Sequence, residues 1–297
     1  MICSNHHHQS NLFQSKPIHF QQSIDFQDPN ATALVPSVST KVPITYRPNS
    51  NTQPIARILA IDCGCKYNII RWLVSKCGME VVLLPYDFDL EGVEQSGQDW
   101  VGSNWKGLFL SNGPGDPTMC GKAISTIQYV MKTYPERPIF GICLGNQLLA
   151  LAAGAKTYKM RYGNRGMNQP AIDLRTGRCY ITPQNHGYAI DTPSLKACNF
   201  HPLFLNANDH TNEGIIHNIY PWFSCQFHPE AMGGPEDTGF LFDYFKSLVV
   251  NDGLGVGRSL LSVEGFANRR YKKVLLIGSG GLSIGQVSRV EQRKHTV

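Results

Sequence analysis

Pro-Ile-Phe-Gly-Ile-Cys-Leu-Gly-Asn-Gln, residues 138–147, ends an apolar run on one cysteine, Cys143, set between Gly141 and Gly145. A helix-forming segment, residues 147–153, follows at once. This is the pattern of a nucleophile elbow, a sharp strand-to-helix turn that lifts a reactive side chain above the end of a sheet. The stretch therefore points to an α/β fold and to a thiol nucleophile together.

The surroundings carry the same texture. Upstream, residues 58–61, 80–85 and 107–110 read as short buried strands. Ile69, Ile70, Leu73, Val74 and Cys77 recur at helical spacing up to Gly78, and Ile124, Ile127, Met131 and Tyr134 mark a second helix. Apolar strands alternating with helices predict a mostly parallel sheet covered on both faces. Past Lys156 the expectation changes to short strands and turns at 179–182, 214–217 and 222–227. A last amphipathic helix runs through Phe240, Leu241, Tyr244, Phe245 and Leu248, with Asp237 or Thr238 as its expected cap.

The 297 residues allow about two domains. Hydrophobic content is 42% and charged content 16%, which suits a globular chain, and no apolar run approaches the roughly 20 residues that span a bilayer. Nine scattered cysteines without a Cys-x-x-Cys pair favour a reducing, cytoplasmic setting over a disulfide scaffold. Cys63 and Cys65 lack a second pair at zinc-like spacing, so no metal site is expected. A net charge of +5 without a basic, aromatic-studded stripe gives no reason to expect nucleic acid, and no membrane association is expected. Residues 1–54, polar and carrying His6, His7 and His8, read as a disordered tail and connector.

A thiol attacks as its thiolate, which a helix N-terminus and a nearby imidazolium both favour. The helix after Cys143 supplies the first. For the second, His228 in Gln-Phe-His-Pro-Glu stands where an apolar strand ends, with its backbone held extended by Pro229. Glu230, two residues on, can hold the other ring nitrogen. An oxyanion needs donors: the N–H of Leu144, and a glycine loop, Asn-Gly-Pro-Gly-Asp-Pro at 112–117, on the same sheet edge. Each motif alone has an ordinary structural reading. All three in this order are far more specific.

These motifs resemble the class I (triad) glutamine amidotransferases, and in particular the glutaminase part of glutamine-dependent carbamoyl-phosphate synthases. The resemblance rests on 110–117, Gly-Ile-Cys-Leu-Gly at 141–145, the run 154–166, Gln-Asn-His-Gly-Tyr at 184–188, Asn-Glu-Gly-Ile at 212–215 and Gln-Phe-His-Pro-Glu at 226–230. Residues 274–286 look like the first strand and glycine turn of a synthetase domain, as in the animal-type multifunctional pyrimidine-synthesis proteins. The resemblance implies a flavodoxin-like sheet with a smaller antiparallel region. It assigns Cys143 as nucleophile, His228 as base and Glu230 as its orienting acid. Glutamine would contact Gly113, Gly115, Leu144, Gln147, Asn185, Gly187 and Tyr188.

The implied domains are 1–54, tail and connector; 55–250, amidotransferase; 251–271, linker; and 272–297, a truncated synthetase start. The glutaminase step needs no cofactor, while ATP and Mg would belong to the synthetase part, the implied partner in cis or in trans. Asn146 stands where many relatives have histidine and, lacking a triad role, is expected to tolerate change. The small N-terminal domain of the family is missing, so the chain reads as a fragment. The alternative function is a catalytically weak or inactive fragment that only binds a partner.

Overall fold

The computed structural model describes residues 28, 31–49, 52–97 and 104–251. Its strands form where β-branched and leucine residues cluster, because a strand buried on both faces needs apolar side chains at successive positions. In β2 (Arg57–Asp62) Leu59 and Ile61 face one core while Ile58 and Ala60 face the other. The alternation repeats in β4 (Leu108–Leu110), where Phe109 opposes Leu108 and Leu110, and in β5 (Ile139–Ile142), where Phe140 and Ile142 oppose Ile139. With β3 (Glu80–Pro85) and β10 (Trp222–Cys225), these strands pair in parallel in the order β3-β2-β4-β5-β10. That order is the flavodoxin-like one.

Helices cover both faces. α4 (Gly121–Thr133) and α5 (Leu144–Ala152) bury Ile127, Val130, Leu148 and Leu149 on one side. On the other, α2 (Tyr67–Arg71) and α6 (Phe240–Val250) pack Ile69, Phe242, Phe245 and Leu248 against an aromatic seam. In that seam Phe140 stacks on Phe223 with centroids 4.5 Å apart. The helix expected to run on to Gly78 changes character midway: α2 passes into a π-helical turn, Trp72–Lys76, which brings Trp72 onto Phe242 at 5.0 Å.

Four further strands extend the sheet beyond β10 in the order β9-β8-β6-β7, all antiparallel to their neighbours. They are β6 (Thr157–Asp173), β7 (Cys179–Ile190), β8 (Phe200–Asn206) and β9 (Asn212–His217). The short strand expected at 179–182 is the start of the 12-residue β7, and the 17-residue β6 lies where no strand is expected. Irregular registers between Lys159 and Asn164 and between Gly166 and Gln169 break their alternation and hide it from the sequence.

The expected tail, 1–54, is corrected over residues 31–49. There α1 (Val35–Val38) buries Val35, the Thr40 N–H bonds Asp62 Oδ2 at 2.7 Å, and β1 (Ile44–Tyr46) pairs antiparallel with β3 at the sheet edge. A three-residue edge strand needs little apolar content because its backbone supplies the attachment. At α6 neither expected cap serves. Gly239 occupies the cap position without a side-chain bond. A short helix, α3 (Leu90–Gln95), not read from the sequence, is capped by Asp89. The rest of the tail, the linker at 252–271 and the synthetase-like stretch 272–297 lie outside the described residues. No helix among the described residues is long and apolar enough to cross a membrane.

Candidate active site

The carboxyl ends of the parallel strands share one edge, where ligands bind in open α/β sheets. Cys143 stands there between β5 and α5 with φ 55° and ψ −102°. A non-glycine residue with positive φ is strained, and such residues cluster at functional sites. The two flanking glycines explain the motif. A Cβ on Gly141 would stand 2.5 Å from the Gly145 carbonyl oxygen, and one on Gly145 would stand 2.2 Å from that of Leu110. Only hydrogen at both positions lets the turn close and α5 seat on β4.

β10 pairs in register with β5, from Trp222 opposite Ile139 to Cys225 opposite Ile142. The Cys143 N–H donates to the Cys225 carbonyl at 2.9 Å. The chain leaving β10 therefore passes beside the elbow, and three residues on it presents His228, whose own N–H donates to Pro183 at 2.9 Å. His228 Nδ1 lies 2.7 Å from Glu230 Oε1, and the imidazole is close enough to Cys143 for its charge to act on the thiol. With Nδ1 taken by the carboxylate, Nε2 is the nitrogen left for the thiol.

The electrostatics follow from these contacts. Burial pushes the Cys143 thiol up, but the charge of His228, helped by His186, leaves it below its usual value. Burial pulls His228 down, yet Cys143 and then Glu230 outweigh it and raise it to about 9. Burial likewise raises Glu230, but His228 and Lys66 hold it below the usual carboxylate value. A thiolate–imidazolium pair is the charge state this arrangement favours.

Around Cys143 opens a cavity of about 450 Å³. It is lined by all seven residues expected to contact glutamine: Gly113, Gly115, Leu144, Gln147, Asn185, Gly187 and Tyr188. His228 lines it too, while Glu230 is buried behind the imidazole. Leu144 opens α5, so its N–H belongs to the first turn, whose donors have no partner within the helix. Gly113 sits against the β2 loop so closely that a Cβ would meet the Cys63 carbonyl oxygen at 2.3 Å.

Sequence reasoning missed several participants. Lys66 Nζ lies 3.1 Å from His228 Nδ1 and 3.2 Å from Glu230 Oε1, while Asn68 Nδ2 donates to the Glu230 carbonyl. The buried His186 sets Nδ1 2.9 Å from the Tyr188 carbonyl and Nε2 3.5 Å from Glu213 Oε1, within the stretch of β7 that carries Asn185 and Gly187. Lys159 and Arg165, from β6, also line the cavity. The Gln-Asn-His-Gly-Tyr motif already contained His186. Nothing local marked Lys66, whose partner is 162 residues away.

Asn146 is fully buried. Its Nδ2 donates to Gln226 Oε1 at 3.0 Å and its Oδ1 accepts from Ser224 Oγ at 2.7 Å. Gln147 Nε2 donates to the same Gln226 oxygen at 2.9 Å and to the Tyr188 carbonyl at 3.0 Å. This amide network ties the elbow helix to the chain that carries His228.

A family model described as glutamine amidotransferase class-I matches residues 59–248, and the chain belongs to that family. Among known relatives, it is 44% identical over 273 residues to the multifunctional protein pyr1-3 of Dictyostelium discoideum, with 90% of this chain and 12% of that protein aligned. It is 49% identical over 220 residues to the carbamoyl phosphate synthase arginine-specific small chain of Candida albicans, with 74% of this chain and 49% of that one aligned. The chain thus spans from about a tenth to about half the length of these relatives. In fold it resembles a Thermoplasma acidophilum protein assigned as part of a GMP synthase, at 20% identity and a TM-score of 0.55 over 67% of this chain and 96% of that one.

Proposed function

We propose that the chain hydrolyses glutamine to glutamate and ammonia and that the ammonia serves carbamoyl phosphate synthesis. The observation that carries this reading is the alignment of Cys143, His228 and Glu230 at adjacent strand ends, opening on one cavity.

The Cys143 thiolate attacks the side-chain carbonyl carbon of glutamine, forming a C–S bond. Negative charge moves onto the oxygen, facing the Leu144 N–H and the Gly113 loop. The C–N bond then breaks, and His228 gives its proton to the departing nitrogen, which leaves as ammonia. A glutamyl thioester remains. Water attacks it, giving up a proton to His228, and glutamate leaves as the thiolate re-forms. Glu230 keeps the imidazole oriented through both steps.

No cofactor enters this step; ATP and Mg belong to a synthetase partner that consumes the ammonia. Similarity to a multifunctional pyr1-3 protein and to an arginine-specific small chain supports a place in pyrimidine or arginine synthesis. The pyrimidine role is favoured by the synthetase-like residues 274–286, and we place the protein in the cytoplasm. The test is glutamate release by the native chain and by Cys143→Ala, alone and with a synthetase partner added. Loss of release in the variant supports the reading, and equal rates overturn it.

A further inference from the structure

Residues 63–66 join β2 to α2, and four successive backbone N–H groups there are taken by side chains. Cys63 donates to Ser111 Oγ at 2.8 Å. Gly64 and Cys65 both donate to Asp62 Oδ1, at 2.9 and 2.8 Å. Lys66 donates to Asn112 Oδ1 at 3.0 Å. Successive N–H groups at a turn can form an anion-binding concavity. Here the protein's own oxygens occupy them, so the loop is a support and not a ligand site.

What it supports is the glycine loop that begins at Asn112. Asn112 Nδ2 donates back to the Gly64 carbonyl at 3.1 Å, and Ser111 Oγ donates to the Asn112 carbonyl at 2.8 Å. The site where a Gly113 Cβ would stand is 2.3 Å from the Cys63 carbonyl oxygen and 2.9 Å from the Cys63 Cβ. Gly113 therefore rests directly on the loop that Asp62 shapes. Asp62 is the last residue of β2 and only 5% exposed. Its two oxygens act in different places. Oδ1 takes the N–H groups of Gly64 and Cys65, whereas Oδ2 takes that of Thr40, from the segment after α1, at 2.7 Å.

Hydrogen bonds from N–H to a carboxylate are charge-assisted and roughly twice as strong as neutral ones, so they fix the loop firmly. Firmness matters under an oxyanion donor, because a group misplaced by about 1 Å can cost about a hundredfold in rate. We propose that Asp62 is a positioning residue for the glutaminase reaction, acting through residues 63–65 to hold Gly113 where negative charge develops. It does not line the cavity and has no contact with substrate. This rests on the glutaminase reading and adds to it a carboxylate outside the triad and the cavity.

The experiment measures kcat and KM for glutamate release from L-glutamine by the native chain, Asp62→Ala, Asp62→Asn, Ser111→Ala and Thr40→Ala. Rates are expressed per site that iodoacetamide alkylates at Cys143, so unfolded protein does not count. The alkylation rate is followed as well, because alkylation needs the thiolate but develops no oxyanion. Asp62→Ala should lower kcat by about tenfold to hundredfold, with KM and the alkylation rate within about threefold of native. Asp62→Asn keeps an oxygen for Gly64 and Cys65 but turns an amide NH2 toward the Thr40 N–H. It should hold kcat within about threefold of native while melting lower. Ser111→Ala frees the Cys63 N–H and should lower kcat by about threefold or more. Thr40→Ala keeps its backbone donor and should leave kcat unchanged. A fall of less than about tenfold in Asp62→Ala, or one matched by the alkylation rate or by Asp62→Asn, refutes the role and leaves the glutaminase reading standing. Should Asp62→Ala fail to fold, Ser111→Ala decides: a native kcat there refutes the role. If the native chain releases no glutamate, the glutaminase reading fails and the role with it.

Discussion

Replacing Asn146 by alanine tests how the elbow is held to the strand beside it. By position, one residue past Gly145 and with no triad role, this side chain promised tolerance, which for a surface site means a change within about 0.5 kcal/mol. The structure argues otherwise. The substitution removes two hydrogen bonds in a fully buried place, one to Gln226 Oε1 at 3.0 Å and one from Ser224 Oγ at 2.7 Å. Gln226 keeps its bond from Gln147, but the buried Ser224 hydroxyl loses the partner it has now. A lost net hydrogen bond costs about 1 kcal/mol, and a buried group left unsatisfied about 1–3. The expected destabilisation is therefore about 2–4 kcal/mol. Urea unfolding followed by tryptophan fluorescence reads it, as a fall of roughly 1 M in midpoint if the slope is near 3 kcal/mol/M. Asn146→Asp should do worse at pH 7 than at pH 4, because a carboxylate would turn an acceptor toward Gln226 Oε1 in place of a donor. A midpoint unchanged by Asn146→Ala would refute the reasoning.

Gly145→Ala should prevent normal folding or cost more than the usual 1–3 kcal/mol of overpacking, since its Cβ meets backbone at 2.2 Å. Gly121→Ala, with nothing within 4 Å, should melt at or above the native temperature. Iodoacetamide should alkylate Cys143 below the pH at which free thiols react, and His228→Asn should move that profile up by removing the imidazolium. His228 is raised from its ordinary 6.5 to about 9, so the stability its charge contributes is complete below 6.5 and disappears as pH climbs through about 9. Melting curves of native chain and His228→Asn should converge over that range. Glu230→Gln removes the carboxylate from Nδ1, at 2.7 Å in the native protein, and should slow glutamate release by about a hundredfold or more with little effect on KM. Activity near the native rate would deny Glu230 its orienting role.

The parallel half of the sheet was legible because its strands are buried on both faces and so must be apolar at every position, as in Ile139–Ile142. β1 was not, because Ile44–Tyr46 is held by backbone pairing to β3 and two of its three residues are exposed. β6 was hidden by its bulges, within which Tyr162 and Met167 are exposed where an unbroken alternation would have shown a core. At the site, Cys143 and His228 could be read because each stands where an apolar strand stops, a boundary visible in one dimension. Lys66, and the pairing of His186 with Glu213, depend on contacts across 162 and 27 residues, which no local pattern encodes.

The in-register pairing of β5 with β10 has one more consequence. The two reactive groups hang from neighbouring strands whose spacing is the roughly 4.8 Å of any sheet. They do not belong to separate lobes that a hinge could part. Separating them means breaking the Cys143 N–H bond to Cys225 and the central ladder below it. The Cys143 amide should therefore exchange its hydrogen with solvent only through global opening. The catalytic pair and the core form one cooperative unit, so heat should abolish chemistry and tertiary structure at a single midpoint.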